Sequence, residues 1–125
     1  MTNIMLGENS KSAARVSQRK RIQEFYRDVL GCKVVVKEGV DIVWLGDNFH
    51  IGYRYEESAL TDEEMLKSIW LELRVGDPEG LKKKILDFGI VEIDFWDKEH
   101  FYFQAPGGQV FRLVGLTEDV SGWKS

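Results

Sequence analysis

The sequence predicts an α+β fold: two tandem βαβββ repeats that form a curved mixed sheet around a cleft. Three observations carry this. An amphipathic helix end, a glycine and a strand occur twice in succession, as FYRDVLGCKVVV (Phe25–Val36) and more roughly as KILDFGIVEIDFW (Lys84–Trp96). Three strand-like stretches follow each helix. Matching residues stand 58 or 59 positions apart: Arg15-Val16 with Arg74-Val75, Gly31 with Gly89, and Trp44 with Tyr102. Self-similarity of that length marks a structural unit, here two half-domains about a pseudo-twofold axis. The expected organisation is one domain over residues 1–125, with repeat 1 at about 10–56, a connector at 57–68 and repeat 2 at about 69–115.

The elements follow in order. SAARVS is a short strand leading into a helix from about Ser17. Ile22, Phe25, Tyr26, Val29 and Leu30 recur at three- and four-residue spacings, which gives that helix one apolar stripe. Gly31 stands where a left-handed helix end needs a residue without Cβ. KVVVKE, DIVWLGD and NFHIGYRY read as strands, with turns at Glu38-Gly39 and Gly46-Asp47-Asn48. EESALTDEEMLKS (Glu56–Ser68) is acidic and poorly periodic, a connector with room for one helical turn. WLELRV alternates as a strand does. Asp77-Pro78 opens the second helix, because Asp caps free N–H groups and Pro at the first helical position loses no hydrogen bond. Leu81, Ile85 and Phe88 form its stripe and Gly89 ends it. VEIDFW, HFYFQA and QVFRLVG are the closing strands, with APGG as the last hairpin turn.

Composition excludes several classes. Net charge is −4 with the signs interspersed, and the one basic cluster, RVSQRKR (Arg15–Arg21), is narrower than the aromatic-interleaved stripe that nucleic acid asks for. It reads as a solvated helix face that offsets acidic residues elsewhere, so no nucleic-acid partner is expected. No apolar run approaches the roughly 20 residues that cross a bilayer, so no membrane partner is expected either. The polar start is unlike a secretory signal, and the single cysteine excludes an intrachain disulfide. A cytoplasmic location is therefore the expectation. Nothing beside Cys32 is built to lower its pKa, and it reads as an inert, half-buried thiol. The ends, residues 1–9 and 116–125, carry no pattern. Trp123 is left as a cap for an apolar patch or for a partner's groove.

Three stretches together resemble the vicinal oxygen chelate superfamily of glyoxalases, extradiol dioxygenases, and fosfomycin- and bleomycin-resistance proteins. They are RVSQRKRIQEFYRDVLGCKV, LELRVGDPEGLKKKI and FQAPGGQVFRLVG. The last looks like that superfamily's closing hairpin, with Pro106 and Gly108 kept and both acidic positions lost. The resemblance covers roughly residues 10–115. It implies a homodimer, often with the cleft completed across the interface. Metal-dependent members place a histidine on the first strand of each repeat and a carboxylate on its last strand. Carried onto this chain, the histidine positions fall on Lys11 and Trp70 and the carboxylate positions on Gly52 and Arg112. Lys11 and Arg112 bring positive charge to a cation, and Gly52 and Trp70 have no ligating side chain. No metal and no cofactor are expected.

Strand parity sorts what faces the cleft instead. Phe49, Ile51, Leu71, Leu73, Val75, Phe111 and Leu113 go to the helix side. Lys11, Trp44, His50, Trp70, Glu72, Tyr102 and Arg112 are left as the candidate ligand-binding set, with His100 beside Tyr102. Bland readings stand next to each. Glu72 and Arg112 can simply neutralise one another, and Trp44 and Trp70 can be packing or dimer contacts. His50, His100 and Glu72 as an alternative metal site has no short ligand spacing behind it. No glycine-rich phosphate loop is present; PGG is a turn without a following helix.

Two functional readings follow. The first is a metal-independent protein that binds a small aromatic or anionic molecule in the inter-repeat cleft, similar to the bleomycin-resistance branch but with a mixed or basic groove. The alternative is an enzyme of the same superfamily, of the lyase, isomerase or dioxygenase type, with an altered metal site or none and Glu72 as general base. An interaction module whose sheets serve only to dimerise is a third.

Overall fold

A computed structural model describes residues 3–123, with the Trp123 side chain, and any capping role for it, outside the described residues. The first unit opens with strand β1 (Asn9–Ala14) and a helical stretch that changes pitch twice. Val16–Gln18 is a 3-10 turn, Arg19–Glu24 is α-helix (α1), and Phe25–Val29 widens so that Leu30 N reaches Phe25 O at 3.1 Å. Gly31 (φ +73°) then turns the chain, and Cys32 N closes the helix end on Tyr26 O at 2.8 Å. Strands β2 (Lys33–Lys37), β3 (Val40–Trp44) and β4 (His50–Tyr55) follow, as the alternation predicts.

The connector holds a short helix, α2 (Asp62–Met65), fixed by a reciprocal cap between Thr61 and Glu64. The second unit repeats the plan with β5 (Trp70–Val75), α3 (Pro78–Asp87), β6 (Phe101–Gln104) and β7 (Val110–Gly115). Asp77 Oδ1 accepts from Gly80 N at 3.0 Å, the cap its Asp-Pro start implies. The four-stranded sheet has order β1-β4-β3-β2 and the three-stranded sheet β5-β7-β6. In each the strand before the helix runs parallel to the last strand, and the remaining pairs are antiparallel.

VEIDFW is the exception. It is not a strand: Glu92 makes one bridge to Phe103, Ile93 N donates to Tyr102 O at 2.8 Å, and the chain then leaves the sheet. Alternation alone predicts a ladder there. The ladder loses because Phe95 and Asp97 find buried partners across the sheet face.

The two sheets share one core through their helix-facing sides. Tyr26 packs on Tyr53 of β4 at 5.7 Å and on Phe111 of β7 at 6.4 Å, while Phe25 meets Phe103 of β6 at 5.9 Å and Phe88 after α3 at 5.6 Å. The Tyr26 and Tyr53 hydroxyls bond at 2.6 Å, which satisfies both inside this apolar cluster. Leu71, Leu73, Phe111 and Leu113 belong to the same core as Val43 and Ile51, as parity predicts. Every residue of opposite parity therefore lies on a sheet face turned away from the common core.

The basic cluster is more engaged than a solvated face. Arg19 donates to both oxygens of the fully buried Asp41, at 3.1 and 3.0 Å, and Gln23 and Tyr55 donate to the same carboxylate. Arg15 bonds Ala59 O at 3.2 Å, and Arg21 lies over the Phe88 ring. Cys32 is half-buried, and desolvation pushes its thiol up to about 11, in keeping with an inert side chain.

Candidate functional site

The outer face of the second sheet carries the densest polar cluster. Register places Glu72 beside Arg112 and Arg112 beside Tyr102. Arg112 donates from Nε and Nη2 to Glu72 Oε1 at 3.1 and 2.6 Å, so the expected pairing of these two is made. Its Nη1 turns to Tyr102 Oη at 3.3 Å and Asp97 Oδ2 at 3.4 Å. Asp97 is the centre of the cluster. Besides Arg112 it accepts from the Tyr102 hydroxyl at 2.8 Å and from Glu99 N at 3.0 Å, and it pairs with His100 Nδ1 at 2.8 Å. His100 Nε2 lies 2.5 Å from Glu118 Oε2, which ties the tail after β7 to the same network.

Burial sharpens these contacts. Tyr102 is 4% exposed, Asp97 7% and Arg112 9%, although all three lie on an outer face. Desolvation pushes the Asp97 carboxyl up, but the bonds from Tyr102, His100 and Glu99 N outweigh it and hold the group below its ordinary value. Desolvation pulls the His100 imidazole down, and its bonds to Glu118 and Asp97 more than reverse that, leaving it above its ordinary value.

The cover over this face is the stretch that failed to become a strand. The Phe95 ring sits 5.0 Å from Trp70 and 4.9 Å from Tyr102, and Trp70 and Tyr102 are 5.7 Å apart. The Trp70 indole N–H is held by Leu66 O at 3.0 Å, so this ring is also anchored to the connector. Sequence reasoning missed Phe95 and Asp97. Arg112 carried the signal: a guanidinium has five donors, and Glu72 alone does not satisfy them.

Lys11, Trp44 and His50 gather on the outer face of the first sheet. Asn9 Oδ1 accepts from Lys11 Nζ at 3.3 Å and lies 3.1 Å from His50 Nε2, while the Trp44 and His50 rings are 4.3 Å apart. His50 Nδ1 is buried and has no hydrogen-bond partner among the described residues. The seven candidates thus form two clusters, one on each sheet, both on faces turned from the shared core. One cavity between the halves, about 370 Å³, is bordered by core-side and connector residues such as Ile51, Met65 and Leu71 and touches Lys11 of the seven. Another, about 510 Å³, lies between Leu30, Cys32 and Leu45 of the first unit and Leu73 and Val75 of the second and touches Glu72.

The superfamily's metal does not fit these residues. Register places Lys11 beside Gly52 and Trp70 beside Val110, so the repeat match of Gly52 is Val110 and that of Arg112 is Arg54. This corrects the pairing of Gly52 with Arg112 as repeat mates, and neither version supplies a donor set. His50 and His100 lie in different clusters, and among the described residues no three His, Cys, Asp or Glu side chains are placed to hold a metal ion.

No family model and no curated protein sequence matches the chain. Solved structures do. A protein from Bacillus anthracis described as of the glyoxalase family superimposes with a TM-score of 0.69 at 21% identity, covering 90% of this chain and 97% of that one. The trypanothione-dependent glyoxalase I of Leishmania major gives 0.64 at 17%, covering 90% and 88%. The bleomycin resistance determinant encoded on transposon Tn5 gives 0.59 at 16%, covering 91% and 100%. Strand order, paired units and these likenesses agree: the chain has the vicinal oxygen chelate fold that glyoxalases and bleomycin-resistance proteins share.

Proposed function

We propose that this protein binds a small aromatic or anionic molecule without a metal, in a cleft completed when two copies pair. The observation that carries this is the chemistry at the chelating positions. Lys11, Gly52, Trp70 and Arg112 offer a cation nothing, while Trp70, Tyr102 and Arg112, which lie beneath Phe95 and Asp97, are groups that stack on a flat ring and make charge-assisted hydrogen bonds to an anion once that cover moves. Pairing is supported by where the clusters lie. Each covers an outer face, and the exposed Trp96 (70%) stands beside Phe95 at the second one. A homodimer sets the Lys11–Trp44–His50 face of one copy against the Trp70–Tyr102–Arg112 face of its partner. For the enzyme alternative, the candidate base Glu72 already holds the Arg112 guanidinium, and no observation favours it.

Thermal-shift screening of protein purified without chelators tests this. Small aromatic carboxylates raise the melting temperature, and Trp70→Ala removes the effect. Metal analysis of the same sample finds less than stoichiometric zinc, nickel, manganese or iron. A bound metal at one per chain, or no shift with any aromatic acid, overturns the reading, and a monomeric elution volume at micromolar concentration overturns the pairing.

A further inference from the structure

The stretch Ile93–His100 lies on the second outer face in an unusual way. Its last ladder bond is Ile93 N to Tyr102 O, and beyond it Asp94, Phe95, Asp97, Lys98 and Glu99 make no backbone–backbone hydrogen bond among the described residues. Side chains hold it instead. Phe95 packs on the touching rings of Trp70 and Tyr102, and Asp97 fills the point where Arg112 Nη1, the Tyr102 hydroxyl and His100 Nδ1 converge. A segment without ladder bonds can open locally at far lower cost than a strand.

Phe95 and Asp97 together present a ring and a carboxylate, a short distance apart, to a complementary pocket. We propose that Ile93–His100 is a displaceable strap that occupies, with its own Phe95 and Asp97, the site of an aromatic carboxylate. The ligand's carboxylate takes the place of Asp97 at Arg112 and Tyr102, and its ring takes the place of Phe95 against Trp70. This rests on the ligand-binding reading above and narrows it to a substrate class. Charge selects the class further. Glu72 neutralises Arg112 on one side, so removing the Asp97 charge leaves room for one negative charge, and a monoanion restores the balance where a neutral analogue does not. The strap also sets affinity. A ligand that must first displace an internal competitor binds more weakly by the fraction of time the site is open.

Titration calorimetry with phenylacetate, with phenylacetamide as the neutral control, tests this on the metal-free protein. Asp97→Ala is expected to tighten phenylacetate binding about ten-fold or more, phenylacetamide is not expected to gain, and adding Arg112→Ala removes the gain. Phe95→Ala, which keeps the strap's charge, gives a gain as well. Asp97→Asn keeps the shape and stands in if the alanine variant does not fold. Amide exchange supplies a signature in the unaltered chain: phenylacetate speeds exchange at residues 94–99, because the ligand expels them. Equal affinity in the wild type and both single variants, or slower exchange over 94–99, overturns the strap and leaves the ligand-binding reading standing. No phenylacetate binding by the wild type or any variant, together with no aromatic acid in the thermal screen, overturns that reading itself.

Discussion

The two sheets were built to one plan and differ in what the chain does beside them. In the first, β2 completes a four-stranded ladder and the outer face, with Lys11, Trp44 and His50, stays partly open. In the second, the corresponding stretch abandons the ladder after Ile93 and folds over the face, so Tyr102 and Arg112 become buried. The same duplicated position therefore gives two different outcomes. Arg54 lies beside Ala13 and its side chain is 58% exposed, whereas its match Arg112 lies beside Glu72 and is 10% exposed. The difference teaches that the polar cluster is a product of the strap and does not come from the repeat.

Arginine removal at the matched positions gives the largest contrast. Arg112→Ala is expected to cost about 3 kcal/mol of unfolding free energy in urea titration, because it removes the buried guanidinium that joins Glu72, Tyr102 and Asp97. Arg54→Ala is expected to stay within about 0.5 kcal/mol, as exposed pairs do. Equal costs would break the comparison.

Aromatic truncation sharpens it. Phe95→Ala is expected to cost about 2 kcal/mol, since its ring touches both Trp70 and Tyr102. Trp44→Ala, on the more open face, is expected to cost about 1 kcal/mol by the same titration.

The smallest effect depends on pH and belongs to the second sheet alone. His100 faces Asp97 and Glu118, with Tyr102, Arg112 and Glu72 in the same network. Its raised pKa means the folded chain holds the proton more tightly. That stabilisation is complete below about pH 6.5 and is lost as pH rises through the raised value. Asp97 and Glu118 are lowered, so their contribution is complete above about pH 4.5 and is lost as pH falls through the folded values. His100→Gln is therefore expected to lower the melting temperature more at about pH 5.5 than at about pH 9. A deficit that does not change with pH would show that the imidazole acts by packing alone.

Much of the fold was legible because its signals are local. Gly31 and Gly89 both take positive φ, +73° and +106°, where the helix stripes end. Asp77-Pro78 caps α3, and parity sorted Phe111 and Leu113 from Arg112. The strap was not legible, because Val91 to Trp96 alternate as a strand does and the reason to leave the ladder lies in distant Trp70, Tyr102 and Arg112. The division of the seven candidates into two clusters was hidden for a related reason. Parity says which side of a sheet a residue takes, but not that both helix sides will share one core through Phe25 and Tyr26.

The hairpin tips at the ends of the two units meet opposite surroundings. Gly46, Asp47 and Asn48 are exposed, and a Cβ at Gly46 would have open space around it. At Gly107 a Cβ would stand 2.9 Å from Tyr53 Cε1 and 3.1 Å from Ile22 Cδ1, and at Gly108 2.7 Å from Met65 Cγ. Loop tips are ordinarily where a polypeptide accepts added sequence. In this molecule a tag or an inserted peptide belongs at the Asp47 tip, while the Pro106–Gly108 tip is wedged beneath the opposite half and the connector, where lengthening it would pry all three apart.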